Sequence, residues 1–162
     1  MQVAGRVLFV GLALTLLAPR ATGAPGGSGA AVVPFVTIES GKASSIQEPA
    51  TMVIRSQADW LALWRQHKGP AAGPPPSVHF DRTMVIAVFG GTVRRSIALA
   101  ISRITREPDR LVVWYMVADT RPLPQPDQGM TATPFHIVRL ARSALPVTFL
   151  PVKTPPVQRT SP

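Results

Sequence analysis

The chain has 162 residues, with 17 lysine and arginine residues, 8 acidic residues and no cysteine. This length supports one domain with short flanking segments. The lack of cysteine excludes a disulfide framework and a lipid-modified cysteine behind a leader. Gly90 and Gly91 form only a pair, so the sequence contains neither a phosphate loop nor a dinucleotide fingerprint.

The first 23 residues have the parts of a secretory signal. Arg6 gives a positive start, residues 7–17 form an apolar run, and residues 21–23 (Ala-Thr-Gly) offer small side chains before a cleavage site. The apolar run is much shorter than the roughly 20 residues that a membrane-spanning helix needs. We therefore expect a periplasmic or secreted protein with no membrane span after cleavage.

Removal of the leader would take away Arg6 and Arg20, leaving 15 basic and 8 acidic residues, a charge of 15 − 8 = +7. A basic balance is compatible with nucleic acid, an anionic surface or an acidic protein partner. The arginines are scattered along the chain rather than clustered, and an exported protein rarely meets nucleic acid. Solvated charge is therefore the simplest interpretation, and we expect no nucleic-acid partner.

Small residues over 24–32 predict a flexible linker, and a globular domain is expected over residues 33–150. The first strands are predicted at 33–39 and 51–55. A proline-rich tail, expected to be disordered, follows at 151–162.

The clearest local signal is a helix from Ser56 to Lys68. Ser56 suits the N-cap position, and Asp59 occupies the place that a capping box gives to an acid. Gly69 and Pro70 then end the helix. One face of this helix has the spacing i, i+3, i+4, i+7 and consists of Trp60, Leu63, Trp64 and His67. We expect this tryptophan face to pack against a sheet.

The remaining strands are predicted at 84–89, 97–102, 111–117, 133–140 and 146–150. The fold class is therefore α+β, with one mostly antiparallel sheet of about five to seven strands and the tryptophan-faced helix on one side. The predicted core comprises Trp60, Leu63, Trp64, Phe80, Val85, Val88, Leu99, Val113, Phe135 and Ile137.

Little in the sequence predicts catalysis. The three histidines lack metal-ligand spacing, so no metal or cofactor is expected. A triad of Ser96, His136 and Asp81 can be written, but Ser96 is not in a nucleophile elbow, and Asp81 suits a turn. His136 alternates with two core residues, which predicts an exposed side chain available to a partner. We therefore expect a protein that is not an enzyme.

A family resemblance rests on the pattern Trp60-x-x-x-Trp64-x-x-His67, followed by Val78-x-Phe80-Asp81 and the strand 84–89. With residues 111–113 and 133–138, this pattern resembles the PrcB C-terminal domain family over roughly residues 56–150. The family is named for an accessory subunit of a secreted subtilisin-like bacterial protease complex. The resemblance implies a small exported bacterial domain that binds or stabilises a partner protein and has no catalytic site of its own.

One segment departs from that family. Its members usually carry a Thr-Gly-Gly-Tyr-Ser type of turn after the strand that resembles 84–89, whereas residues 90–96 here read Gly-Gly-Thr-Val-Arg-Arg-Ser. Two cations thus replace an aromatic, flexible surface, which affects any choice of partner taken from the family.

Two binding hypotheses follow. In the first, a partner protein is held by the turn at 90–96 and the long loop at 118–133, because loops on a rigid scaffold often carry recognition. The candidate residues are Arg94, Arg95, Arg121, Gln128 and His136. In the second, an anionic envelope polymer or small molecule binds the basic surface, with Trp114 or Tyr115 as a stacking platform. An ordinary solvated turn at 90–96 is the simpler alternative to both.

Overall fold

The computed structural model describes residues 30–70, 72–93, 97–119 and 131–152. In chain order its elements are β1 (Ala31–Val32), β2 (Phe35–Gly41), β3 (Pro49–Ile54), α1 (Gln57–Lys68), β4 (Thr83–Gly90), β5 (Ile97–Arg106), β6 (Leu111–Asp119), β7 (Phe135–Ala141) and β8 (Val147–Val152). The predicted signal segment 1–23, the triad candidate Ser96 and the end of the predicted tail, 153–162, lie outside the described residues.

The strands form two sheets rather than one. The outer sheet has the order β1-β5-β6-β8, and the central sheet has the order β2-β7-β4-β3. Among the described strands, every pairing is antiparallel except that of β6 with β8. The structure is thus mostly β with a single helix in its described part, and the expected single sheet of about five to seven strands is wrong.

The expectation of a single sheet is already wrong at the first predicted strand, 33–39, because the chain passes from one sheet to the other there. Residues 31–32 pair with β5 in the outer sheet, and the chain then passes Pro34 and enters the central sheet at Phe35. Proline lacks the amide that would continue a ladder, which favours a break here. The prediction of a linker over 24–32 is consequently wrong for its last two residues, and that of a disordered tail is wrong for residues 151–152, which belong to β8.

The structure has three layers, which are the outer sheet, the central sheet and α1, and the composition of β4 explains why. The side chains of β4 alternate between two apolar sets, and the six from Met84 to Phe89 are at most 2 % exposed. Met84, Ile86 and Val88 face the outer sheet, whereas Val85, Ala87 and Phe89 face α1. A strand that is apolar on both faces needs a cover on each side, and the outer sheet and α1 supply the two covers.

Helix α1 begins and ends where its capping residues are. The Ser56 hydroxyl accepts a hydrogen bond from the Asp59 amide at 3.2 Å. At the other end, Gly69 has φ of 80°, in the left-handed region, and its amide donates to the Arg65 carbonyl at 2.9 Å. Both features have the local chemistry expected at helix termini.

The two tryptophans of α1 also hold the proline-rich connector. Trp60 is fully buried and donates its indole N–H to the Pro76 carbonyl at 3.0 Å, and Trp64 does the same to Gly73 at 3.1 Å. Proline-rich backbone has few donors of its own, so these bonds use carbonyls that a regular element would have paired. The connector is therefore fixed along the helix rather than forming an independent loop.

Nine of the ten predicted core residues are less than 9 % exposed, and Phe80 is partly buried against the helix-side cluster. The set is divided between the two interfaces of the central sheet. Trp60, Leu63, Trp64, Val85, Phe135 and Ile137 lie on the helix side, and Val88, Leu99 and Val113 lie between the sheets.

Candidate functional site

Most of the residues predicted to meet a partner lie outside the described residues. These are Arg94, Arg95, Arg121 and Gln128. The loop predicted at 118–133 is described only at its two ends, as the last residues of β6 and the segment from 131 onward. The binding hypotheses for these residues therefore remain predictions.

His136 is buried, so the prediction of an exposed side chain available to a partner is wrong. Its ring lies between the sheets and is 7 % exposed. Nδ1 accepts the Ile101 amide proton of the outer sheet at 2.8 Å, which leaves Nε2 protonated to donate to the Thr37 hydroxyl, also at 2.8 Å. His136 does point away from the face that Phe135 and Ile137 occupy, but the outer sheet covers the side to which it points.

The same two bonds bear on the triad hypothesis. Each ring nitrogen of His136 already has a partner, and burial lowers the pKa of the imidazole. A general base needs a free lone pair within hydrogen-bond reach of its nucleophile. His136 offers none in this arrangement, and Asp81 is exposed at a turn.

A polar cluster that no sequence motif predicts lies at the end of α1. His67 Nδ1 lies 2.8 Å from the Ser44 hydroxyl, and its Nε2 lies 3.6 Å from Glu39 Oε2. Lys68 forms an ion pair with the other Glu39 oxygen. Residues far apart in sequence thus connect the edge strand β2, the following loop and the helix.

Ser44, His67 and Glu39 follow one another in the same order as the members of a serine–histidine–acid triad. Here, however, Nδ1 of the histidine faces the serine and Nε2 faces the acid, the reverse of the usual arrangement. The Ile46 amide donates to the Ser44 oxygen, so the Ser44 hydroxyl proton is free to donate to Nδ1. Nε2–H then faces Glu39. Burial and, to a smaller extent, Lys68 lower the pKa of His67, against a raising effect of Glu39.

Burial makes this cluster a structural connection rather than a substrate site. The His67 side chain has no exposed surface, and its ring packs edge-on against Phe135 at a centroid distance of 4.2 Å. The facing atoms, His67 Nε2 and Glu39 Oε2, are both enclosed. Among the described residues, no group of three or more histidines, cysteines or acids could hold a metal ion.

The candidate functional surface lies on the opposite side of the molecule. Leu111 and Val113 point into the core, so the alternate side chains of β6 point outward, away from the central sheet. We call the outward side chains of the outer sheet the outer face. Its large apolar members are Val32, Val112, Trp114, Met116, Leu150 and Val152, of which Val112 is buried, at 2 % exposed.

The outer face is apolar and has one cation near its centre. A β-bulge between Ile101 and Arg103 places Arg103 opposite Trp114, and the guanidinium carbon lies 5.2 Å from the centre of the indole. The next strand places Leu150 beside Trp114. Val32 is 68 % exposed and Leu150 is 36 % exposed. Neither buried cluster of the described chain includes any of these side chains.

Trp114, but not Tyr115, can serve as the stacking platform suggested by the second hypothesis. Trp114 is on the outer face, where its indole N–H lies 3.4 Å from the Thr105 hydroxyl. Tyr115 points to the opposite side and packs partly buried between the sheets. The alternation of the strand decides the matter, because adjacent residues cannot share one face.

No family model matches this chain, and neither the curated proteins nor the solved structures contain a match. A helix with the length and apolar character to cross a membrane is not found within residues 30–70, 72–93, 97–119 and 131–152.

Proposed function

We propose that this chain is an exported, non-enzymatic accessory domain that binds or stabilises a partner protein through the outer face. The observation that carries the proposal is the row Arg103–Trp114–Leu150, an arginine over the ring of a partly buried tryptophan beside an exposed leucine. The resemblance to the PrcB C-terminal domain family makes a secreted protease the candidate partner.

The composition of the row supports protein binding. Tryptophan and arginine are the residues enriched at the energetic centres of protein interfaces, where surrounding apolar side chains exclude water. Isolated exposed apolar residues need no explanation, but here the exposed Leu150 lies beside the partly buried Trp114, and Val152 lies beside Met116 further along the same two strands. With a formal charge of 15 − 8 = +7 once residues 1–23 are removed, an acidic partner is favoured over a second copy.

Export rests on the leader-like segment 1–23, and its test is simple. If the segment is a signal peptide, the protein recovered from the periplasm or medium of the producing bacterium will begin at Ala24. Recovery from the cytoplasm with residues 1–23 intact would contradict export while leaving the outer face untouched.

Partner binding is tested by replacing one exposed apolar side chain of the outer face with a charged one. Leu150→Glu places a charge beside Trp114, and we expect recovery of the wild-type protein's co-purified partner to fall at least 10-fold, since desolvating an unpaired charge in an interface is costly. The matched control is Gln66→Glu, an equally acidic change on exposed α1.

The measurement is quantitative co-purification from the native periplasm, with folding of each variant checked by urea unfolding. Equal partner recovery with Leu150→Glu and Gln66→Glu would contradict the proposal, as would an absence of any stoichiometric partner of the wild-type protein.

The alternative function is binding of an anionic envelope polymer or small molecule. Its specific support is the Arg103 cation stacked on Trp114, because such a pair can contact both an acidic group and a sugar ring. This alternative predicts sedimentation with acidic polysaccharide that weakens strongly between low and physiological salt and is reduced by Arg103→Gln. A partner protein held by apolar contact would be lost through Leu150→Glu instead.

A further inference from the structure

A shallow cleft lies on the helix side of the central sheet, beyond the part that α1 covers. Its volume is about 270 Å³, and its walls include Pro34, Val36, Thr83, Arg139 and Ala141. The register places Val36 beside Arg139 and Thr83 beside Ala141, on the face that α1 covers further along. The walls are mainly apolar, and Val36 is 55 % exposed.

Among the residues that the structure describes, Arg139 is the only charged group lining this cleft. Its side chain is exposed, and it makes no hydrogen bond or ion pair with any other described residue. The acidic residue nearest to the cleft in sequence, Asp81, forms no ion pair within the described chain either. A guanidinium with unused donors beside an apolar wall is complementary to a carboxylate next to an apolar side chain.

The cleft borders the free edge of a sheet. Among the described strands, β2 is the last of the central sheet, so one row of its backbone amides and carbonyls faces away from β7. The usable edge is short, because Pro34 has no amide and the register shifts between Thr37 and Glu39. Only about three residues, 35–37, can therefore pair with an added strand, which suits the end of a peptide rather than a long segment.

We propose that this cleft binds the carboxyl-terminal end of an extended peptide, with the terminal carboxylate on Arg139 and the last apolar side chain beside Val36. The peptide backbone adds to the edge of β2, a recognised mode of peptide binding. This inference goes beyond the proposed function, because the cleft and the outer face lie on opposite sides of the molecule and can fail separately.

The test uses the whole mature chain and a fluorescein-labelled hexapeptide ending in Thr-Val-Leu, with either a free carboxylate or a carboxyl-terminal amide. Fluorescence anisotropy gives the affinity of each peptide for the wild type, Arg139→Gln and Arg65→Gln. We expect amidation to weaken binding to the wild type roughly 10-fold or more, the size of a charge-assisted hydrogen bond. Arg139→Gln should bind both peptides as weakly as the wild type binds the amide.

Arg65→Gln is the matched control, since it removes the same charge from an exposed position of α1. If it weakens the free-acid peptide as much as Arg139→Gln does, the attraction is general and the proposal fails. It also fails if neither peptide binds, or if decanoate binds with dependence on Arg139 while the peptides do not, which would assign the cleft to a lipid. Self-association of the wild type that is abolished by Val36→Glu would assign it to a second copy.

Discussion

The two layers that cover the central sheet, α1 and the outer sheet, hold their tryptophans in different environments. On the helix side, Trp60 and Trp64 are at most 8 % exposed and donate to carbonyls of the connector. On the outer face, Trp114 is only partly buried, Arg103 lies over its ring, and the single helix of the described chain packs on the other side of the central sheet. The same side chain thus stabilises the fold on one side and remains available for contact on the other.

The largest expected effect is a difference in stability between the two sides. Trp60→Ala should lower the free energy of unfolding by roughly 3–5 kcal/mol, because it leaves a cavity in a fully buried cluster. Trp114→Ala should cost less, about 1 kcal/mol, since that ring is only partly buried and belongs to neither core cluster. Urea unfolding followed by far-UV circular dichroism gives both values.

Similar costs for Trp60→Ala and Trp114→Ala would contradict the contrast between a structural side and a contact side. A loss of several kcal/mol in Trp114→Ala alone would show that another part of the chain packs on the outer face.

A second effect is the pH dependence of stability, which should come from the buried side. Burial lowers the pKa values of His67 and His136 from 6.5, so the unfolded chain binds these protons first as pH falls. Their contribution to stability is complete above about pH 6.5 and is lost as pH falls toward the folded-state pKa values. The urea midpoint should therefore decrease from pH 7.5 to pH 5.5.

His136→Gln should flatten that decrease, because the remaining slope belongs to His67, whereas His79→Gln, at an exposed position, should leave it unchanged. A midpoint that is constant or rises as pH falls would mean that the two imidazoles are not buried as described.

A smaller effect concerns the helix that covers the central sheet. Ser56→Ala removes the acceptor of the Asp59 amide and should cost about 1 kcal/mol. Ser77→Ala, at an exposed position in the connector, serves as the control, and thermal unfolding resolves the difference. Equal midpoints for both variants would show that the cap does not limit the stability of α1.

Local chemistry made the helix and the buried strand predictable. The signals that define α1 are its capping residues Ser56 and Gly69 and the spacing of its tryptophans, and each lies within a few residues of the feature it predicts. The continuous apolar run of β4 is an equally local signal. The partition into two sheets was not predictable in this way, because alternation identifies a strand but not its neighbours. Pro34 is the local signal for the change of sheet, but the strand predicted at 33–39 includes it.

The functional residues were predictable only in part. Trp114 was identified as a stacking residue, but the bulge that brings Arg103 over it depends on cross-strand register. The polar cluster of Glu39, Ser44 and His67 joins residues up to 28 positions apart by sequence numbering, a separation that no local pattern reports. His136 was misjudged for the same reason, since its cover comes from a strand 35 residues away.

The most direct test of the outer face as a contact surface is photo-crosslinking from position 150 in the cells that produce the protein. We expect p-benzoylphenylalanine at position 150 to join the protein to one partner in a single adduct, which an added Arg103→Glu change suppresses, whereas the same probe at position 66 on α1 gives no such adduct. Equal adducts from positions 66 and 150, or none from position 150, would contradict the account.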